Sequence, residues 1–405
     1  MYLPYSPNNT KDDCAMLLDV RKPPNNQDVA VSPSEQLAQS AILLETQVGS
    51  PKDEIERLRE TGLLPLVVPK EYGGLGATWQ EALKIVYELA KADGAIGQLY
   101  CNHLILTALA HVCGTAEQKE KYYRYTAQHQ GFWANAIDTW DTRLRITPEG
   151  ENFRLNGIKR FDAVVAAADW RVFSAWQDGR QEPFFCIIPQ DRSGIICDKR
   201  GEKFGSEPTE QGSFVFYNVL VEKDEILGSP NHPEQTFTTF LGIITQLTKT
   251  YMGLGIGHSS LEAIQAYQRT TSQSRLTSIR GSAAAEAHPF SQYSDLWIEL
   301  NTAMRVAEQV AEQLQVAWEK ELQLTHEERG IVAGAVFSAE VFATRVILNI
   351  TNRLLELMDN PILAKNCGLD RYWQDLRTLG GVSMPWQGVP QTWTVHHFPQ
   401  QQTPC

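Results

Sequence analysis

The chain has 405 residues, of which 42% are hydrophobic and 21% charged, enough for two to four domains at roughly 100–200 residues each. It carries 48 acidic against 36 basic residues, a formal charge of −12, and no stretch concentrates Lys and Arg, which argues against a nucleic-acid backbone as partner. Apolar runs such as residues 241–244 fall far short of the roughly 20 residues a membrane helix needs, so no membrane span is expected.

Residues 1–33 are polar and broken by five prolines, and read as a loose tail without the basic and apolar regions of a secretion signal. Seven cysteines, an odd number with wide spacings and no Cys-x-x-Cys, point to reduced thiols in a cytoplasmic protein rather than to a disulfide frame or a metal site. Residues 34–130 then read as helical. Leu83, Val86, Leu89 and Ala90 fall on one helix face. Asp93-Gly94 breaks that helix, residues 96–112 form the next, and Thr115 with Gln118 has the spacing of a capping box before a third.

The pattern changes at Gly131. Short stretches rich in Phe, Val, Ile and Trp (152–161, 171–176, 184–188 and 214–221) alternate with turn clusters such as Gln177-Asp-Gly179, so residues 131–230 are expected to form a small β-domain. Trp133, Trp140 and Trp170 are expected to pack within it.

From about residue 231 the texture is helical again. Leu300, Ala303, Ala307, Val310, Ala311 and Leu314 lie on one face of a 3.6-residue period. Thr325 and Glu328 repeat the capping-box spacing, and Val332, Val336, Ala339, Val346, Ile350 and Leu354 mark a further helix antiparallel to it. Gly253-Leu-Gly-Ile-Gly257 follows no strand, so its glycines read as close helix packing rather than a nucleotide loop. Residues 379–405 show neither periodicity and contain no Asp or Glu.

The α, β, α order resembles the acyl-CoA dehydrogenase superfamily over about residues 40–378. Six landmarks carry the likeness, in order: Val68-Pro-Lys-Glu-Tyr-Gly-Gly-Leu-Gly76, Asp93-Gly94, the segment from Gly114 to Tyr122, Leu155-Asn-Gly-x-Lys159-x-Phe161, the strand ending before Ile226-Leu-Gly228, and Leu369-Asp-Arg-Tyr-Trp-Gln-Asp-Leu-Arg-Thr378. Within the superfamily, Leu369-Asp-Arg-Tyr-Trp, Gln98-Leu-Tyr-Cys-Asn-His103, Asn135-Ala136 and Ser274-Arg275 resemble the two-component flavin monooxygenases, the dibenzothiophene monooxygenase branch. The resemblance implies an α+β fold: an N-terminal helical domain (34–130), a central β-barrel domain (131–230) and a C-terminal helical bundle (231–378), assembled as a homotetramer, with 379–405 a non-homologous tail such as a frameshift or truncation would leave.

It also implies flavin, FMN or FAD, between the β-domain and the bundle. A small organic, possibly organosulfur, substrate and a separate flavin reductase would complete a reduced-flavin monooxygenase. His103 and Asn135 would be its polar catalytic groups, and Asn135, Ala136, Phe161, Ala163 and Arg275 would hold the cofactor, Arg275 at its phosphate. Taken alone, His103 on an apolar helix reads as a satisfied core histidine, and it is the surrounding resemblance that sets a catalytic role level with that reading. The branch's usual Ser is replaced by Ala163, and Leu379 and Val382 stand where it has a His pair. Two alternatives remain: an FAD-dependent acyl-CoA dehydrogenase served by an electron-transfer flavoprotein, and a homologue without catalytic activity. A dehydrogenase needs a carboxylate base, and the first bundle helix offers only Glu262.

Overall fold

The computed structural model describes residues 51–138, 140–180, 183–198, 211–228, 236–276 and 284–357. The N-terminal tail, residues 379–405 and the motif at 369–378 lie outside them. Four helices come first: α1 (Pro51–Glu60), α2 (Trp79–Ala92), α3 (Gly94–Cys113) and α4 (Ala116–His129). Their starts follow the caps. Thr78 with Glu81 and Thr115 with Gln118 form reciprocal capping boxes, and the Asp93 carboxylate accepts from the Ala95 and Ile96 amides, satisfying donors a helix cannot satisfy itself. Helix α3 is apolar nearly all round, and a helix of that kind is buried on every side; fourteen of its twenty residues are buried.

Seven strands follow: β1 (Trp133–Ala136), β2 (Arg145–Glu149), β3 (Asn152–Asp162), β4 (Trp170–Ala175), β5 (Phe184–Pro189), β6 (Ile195–Asp198) and β7 (Gln211–Val221), with a short helix α5 (Ala163–Ala167) after β3. They form two sheets, β1-β4-β5 and β2-β3-β7-β6, and among the described residues the expected β-barrel domain is not closed into a barrel. Strand β1 pairs with β4 in parallel and is the edge of its sheet. The sheets are stitched where the Ile146 amide donates to the Trp176 carbonyl and the Trp176 amide donates to the Leu144 carbonyl. In β3 the register shifts at Gly157, whose φ of +126° suits glycine and where a β-carbon would lie 2.1 Å from the Arg143 carbonyl oxygen. Trp133 and Trp170 are buried in an aromatic cluster with Tyr122. Trp140 departs from expectation: it is 84% exposed, on the turn after β1.

Three long helices close the order, α6 (Leu241–Leu276), α7 (Ala284–Trp318) and α8 (His326–Leu357), and they pack against one another and against α2 and α3. The glycines of residues 253–257 are packing glycines: a methyl at Gly255 would lie 2.4 Å from the Tyr87 carbonyl oxygen, so α2 and α6 meet backbone to backbone there. Among the described helices, residues 326–354 of α8 are long and apolar enough to cross a membrane, but Val336, Ala339, Val346, Ile350 and Leu354 face the bundle core.

Candidate active site

A cavity of about 340 Å³ opens where α3, β1 and α6 converge. The stripe Leu99, Asn102, Ile105 and Leu109 comes from α3, at the three- and four-residue spacing that keeps side chains on one helix face. From α6 come Leu241, Thr245 and Lys249, one turn apart. The lead-in and strand β1 give Phe132, Trp133, Ala134 and Asn135, and Ile137, Val164 of α5 and Phe185 of β5 complete the wall. Ten of these fourteen residues are apolar, and none is Asp or Glu.

The polar groups are oriented by their own neighbours. The Asn135 Oδ1 accepts from the Ile137 amide at 3.2 Å, so its Nδ2 side remains as a donor. The Thr245 hydroxyl donates to the Leu241 carbonyl at 2.9 Å and offers lone pairs to the cavity. Asn102 and Lys249 are partly exposed, and neither makes a hydrogen bond or ion pair among the described residues.

His103 sits elsewhere. It is fully buried, stacked between Tyr100 and Phe132, and is not on the cavity wall. The Trp133 amide donates to its Nδ1 at 3.2 Å, and its Nε2 lies 2.8 Å from the Leu64 carbonyl oxygen. An accepting Nδ1 fixes the proton on Nε2, which therefore donates to Leu64. Burial pushes the imidazole down to about 4. A neutral ring with both nitrogens engaged joins α3, the Leu63–Leu64 turn and β1; it has no proton to give to a substrate. The preceding residue, Asn102, turned about 100° around the helix, takes the cavity face instead.

The remaining expected residues divide. Asn135 lines the cavity, and Ala136 is its neighbour on the same edge strand. Phe161 and Ala163 lie at the join of β3 and α5, beside the cavity residue Val164. Arg275 is near the far end of α6, roughly 40 Å along the helix axis from Lys249 at about 1.5 Å per residue, so it does not share this cavity within one chain. Glu262, the carboxylate available to a dehydrogenase, is not on the cavity wall. It is half-exposed and paired with Lys91 at 3.0 Å and His258 at 3.3 Å. Burial alone would raise its carboxyl, but the bonds from His258 and Lys91 win and hold it at about 2, a poor base.

Lys159 of the Lys-x-Phe motif is also structural. Its residue is wholly buried, and its ammonium donates to the Asp138 carbonyl at 2.7 Å, the Asp141 carbonyl at 3.2 Å and the Ser174 hydroxyl at 2.8 Å. It fixes the loop that leaves β1 under the cavity.

Helices flanking two small sheets, with an apolar cavity at their junction, form the α+β scaffold that the resemblance to a flavin-dependent oxidoreductase implies, and comparison with known proteins agrees. Residues 34–130 match the acyl-CoA dehydrogenase N-terminal domain. Dibenzothiophene monooxygenase of Rhodococcus erythropolis is 34% identical over 373 residues, 87% of this chain and 89% of that one. Methanesulfinate monooxygenase MsuC from Pseudomonas fluorescens superposes with a TM-score of 0.73 at 30% identity, over 91% and 95% of the two chains. TdsC from Paenibacillus sp. A11-2, solved with FMN and indole, gives 0.76 at 28% identity, over 90% and 95%. The chain belongs to the acyl-CoA dehydrogenase superfamily, in its flavin-dependent monooxygenase branch.

The cavity suits a flavin on its own features. An aromatic and aliphatic wall accommodates a flat ring system, the free edge of β1 offers backbone donors and acceptors, and Asn102, Asn135 and Lys249 offer side-chain donors without competing acids.

Proposed function

We propose that the chain is the oxygenase component of a two-component system: it takes reduced flavin, FMN in the first instance, from a separate reductase and uses O₂ to oxidise a small organosulfur compound. The observation that carries this reading is the cavity wall, which among the described residues has hydrogen-bond donors and no carboxylate. Proton abstraction next to a thioester carbonyl, the dehydrogenase reaction, requires a base such a wall does not supply. Oxygen transfer requires a dry pocket with donors at the oxygen end.

Bound reduced flavin would supply the activation of O₂. This chain's residues bind, orient and exclude water. Asn135 and Ala136, with the Phe161–Ala163 join beside them, would hold the ring edge against β1. The Asn135 Nδ2, pinned by its turn to Ile137, and the Asn102 amide would donate to oxygen. Phe132, Trp133 and Phe185 would keep solvent out. The similar dibenzothiophene and methanesulfinate monooxygenases support the substrate class, and TdsC with its bound FMN supports the cofactor. We further propose a homotetramer, supported by the large apolar side chains left exposed on α7 and α8, Ile298, Val316, Ile331 and Leu348. Arg275 would then reach a cofactor phosphate in a neighbouring copy. A reducing cytoplasm suits the free thiols Cys101, Cys113 and Cys186.

The test is turnover of organosulfur compounds with reduced FMN and O₂, read by mass spectrometry. One oxygen atom gained at sulfur per O₂ consumed is expected. Peroxide release without any oxidised product would overturn the reading.

A further inference from the structure

The cavity holds one fixed positive charge. Lys249 rises from α6 in the stripe Leu241–Thr245–Lys249 and reaches an otherwise mostly apolar wall. No carboxylate lies on that wall, and Lys249 has no ion-pair partner among the described residues. The acid whose field reaches it is Glu340 on α8, beyond ion-pair distance; burial raises that carboxyl, and Lys249 opposes the rise. The other side chains reinforce the sign. Asn135 presents its Nδ2, and Asn102 has an uncommitted amide.

A half-buried ammonium without a counter-ion is costly, and more so once a ligand displaces the water around it. A neutral thiophene or sulfide filling this cavity would leave Lys249 dry and unpaired. An organic anion would neutralise it through charge-assisted hydrogen bonds and place its carbon part on the apolar wall.

We propose that Lys249 is a specificity-determining residue that selects an anionic substrate, a small organic sulfinate, over neutral sulfides and thiophenes. The inference rests on the oxygenase reading above. The chemistry balances: the sulfinate R–SO₂⁻ gains one oxygen atom from O₂ at its sulfur lone pair and becomes the sulfonate R–SO₃⁻. The second oxygen atom leaves as water with two hydrogens from reduced flavin, which ends oxidised. A sulfonate has no lone pair left on sulfur, so it binds as product and goes no further.

The experiment uses the full chain with ethanesulfinate as substrate, ethanesulfonate as an unreactive anion and ethyl methyl sulfide as the neutral competitor. Calorimetry with ethanesulfonate, without flavin, should show binding that Lys249→Met weakens by roughly 30-fold or more and Lys249→Arg largely restores. In turnover, Lys249→Met should raise KM for ethanesulfinate by a similar factor with a smaller change in kcat, and should shift preference toward the sulfide. Lys249→Gln, a second neutral variant, should behave as Met does, and stands in for it if Met does not fold. Two results would overturn the proposal: a wild type that prefers the sulfide, or a Lys249→Met chain that loses FMN while ethanesulfonate binding is unchanged, which would assign the ammonium to the cofactor phosphate. The oxygenase reading fails separately. Anion binding that depends on Lys249, with no sulfur oxidation of either compound, would sink the oxygenase and keep the anion site.

Discussion

Polar groups near the junction of α3, β1 and α6 come in two kinds. Around β1, His103, Lys159 and Asp169 are wholly committed. Asp169 accepts from Arg59 at 2.5 Å and from the Phe132 amide at 2.7 Å, His103 bridges two backbone groups, and Lys159 gathers three oxygens. On the cavity wall, Asn102 and Lys249 have no partner among the described residues. Buried polar groups are normally satisfied, and the first set is; the second set is partly exposed and is left to water or a ligand. The contrast separates groups that hold the site from groups that await a ligand. It predicts that substitutions in the first set damage stability, and that those in the second damage recognition.

The largest stability effect is expected at Lys159. Lys159→Met preserves the stem and removes three hydrogen bonds from a charged donor, leaving the Asp141 carbonyl without that donor and Asp138 and Ser174 with only the bonds between them. An unpaired buried acceptor costs about 1–3 kcal/mol and a bond to a charged group contributes about 1.5–3 kcal/mol, so, with some recovery by water, a loss of about 3 kcal/mol is expected in urea unfolding. A loss below about 1 kcal/mol would show that the β1 exit loop does not depend on this cage.

His103→Leu comes next, at about 2 kcal/mol, from an unpaired Trp133 amide and Leu64 carbonyl. The wild-type residue also makes the protein acid-sensitive. Its folded value, about 4, lies below its ordinary 6.5, so the neutral ring is no penalty above pH 6.5. As pH falls from 6.5 toward 4, the unfolded chain takes up a proton that the folded chain refuses. At about 1.4 kcal/mol per pH unit, up to about 3 kcal/mol is lost across that window. The Leu variant should lack this part of the acid dependence, so the two stability curves should converge as pH drops. Parallel curves would show that His103 is not buried neutral.

These two residues also mark how far the sequence could be read. The capping boxes at Thr115 and Thr325, the strands around 152–161 and 184–188 and the packing glycines at 253–257 are local signals, and the structure carries each of them. Closure of a barrel is not local. It depends on whether distant strands pair, and here β1 and β2 fall in different sheets. In α3 the histidine drew attention as the chemically versatile residue, yet one helical step decides which residue meets the cavity, and on a helix apolar all round no hydrophobic face fixes that rotation. Asn102, a polar residue amid buried neighbours, was the available signal. Lys249 was harder to find, since a lysine on a long helix ordinarily faces water.

The seam between α2 and α6 extends the committed set. Tyr87 meets His258 Nδ1 through its hydroxyl, and His258 in turn faces Glu262 and the edge of Trp297. Tyr87→Phe removes one partly buried hydrogen bond, so about 1 kcal/mol of stability should be lost with the KM for ethanesulfinate unchanged. A change in KM would mean that this network extends to the cavity.

The smallest stability effect, and the sharpest test of the contrast, belongs to Lys249. A side chain that holds the fold together loses stability when it is truncated; one kept for a ligand gives up a desolvation cost instead. Methionine matches the lysine stem in length and suits the leucine and isoleucine wall around it. Lys249→Met should therefore unfold within about 0.5 kcal/mol of wild type, or be more stable by up to about 1 kcal/mol, as is common where a binding site carries polar groups at the expense of the fold. The same variant binds ethanesulfonate poorly on the argument above. Urea midpoints measured with and without saturating ethanesulfonate test both halves: the anion should stabilise wild type by mass action and leave the variant nearly unmoved. A Met chain destabilised by 2 kcal/mol or more would place Lys249 with Lys159 and His103, and the division between holding and awaiting groups would fail at its most informative residue.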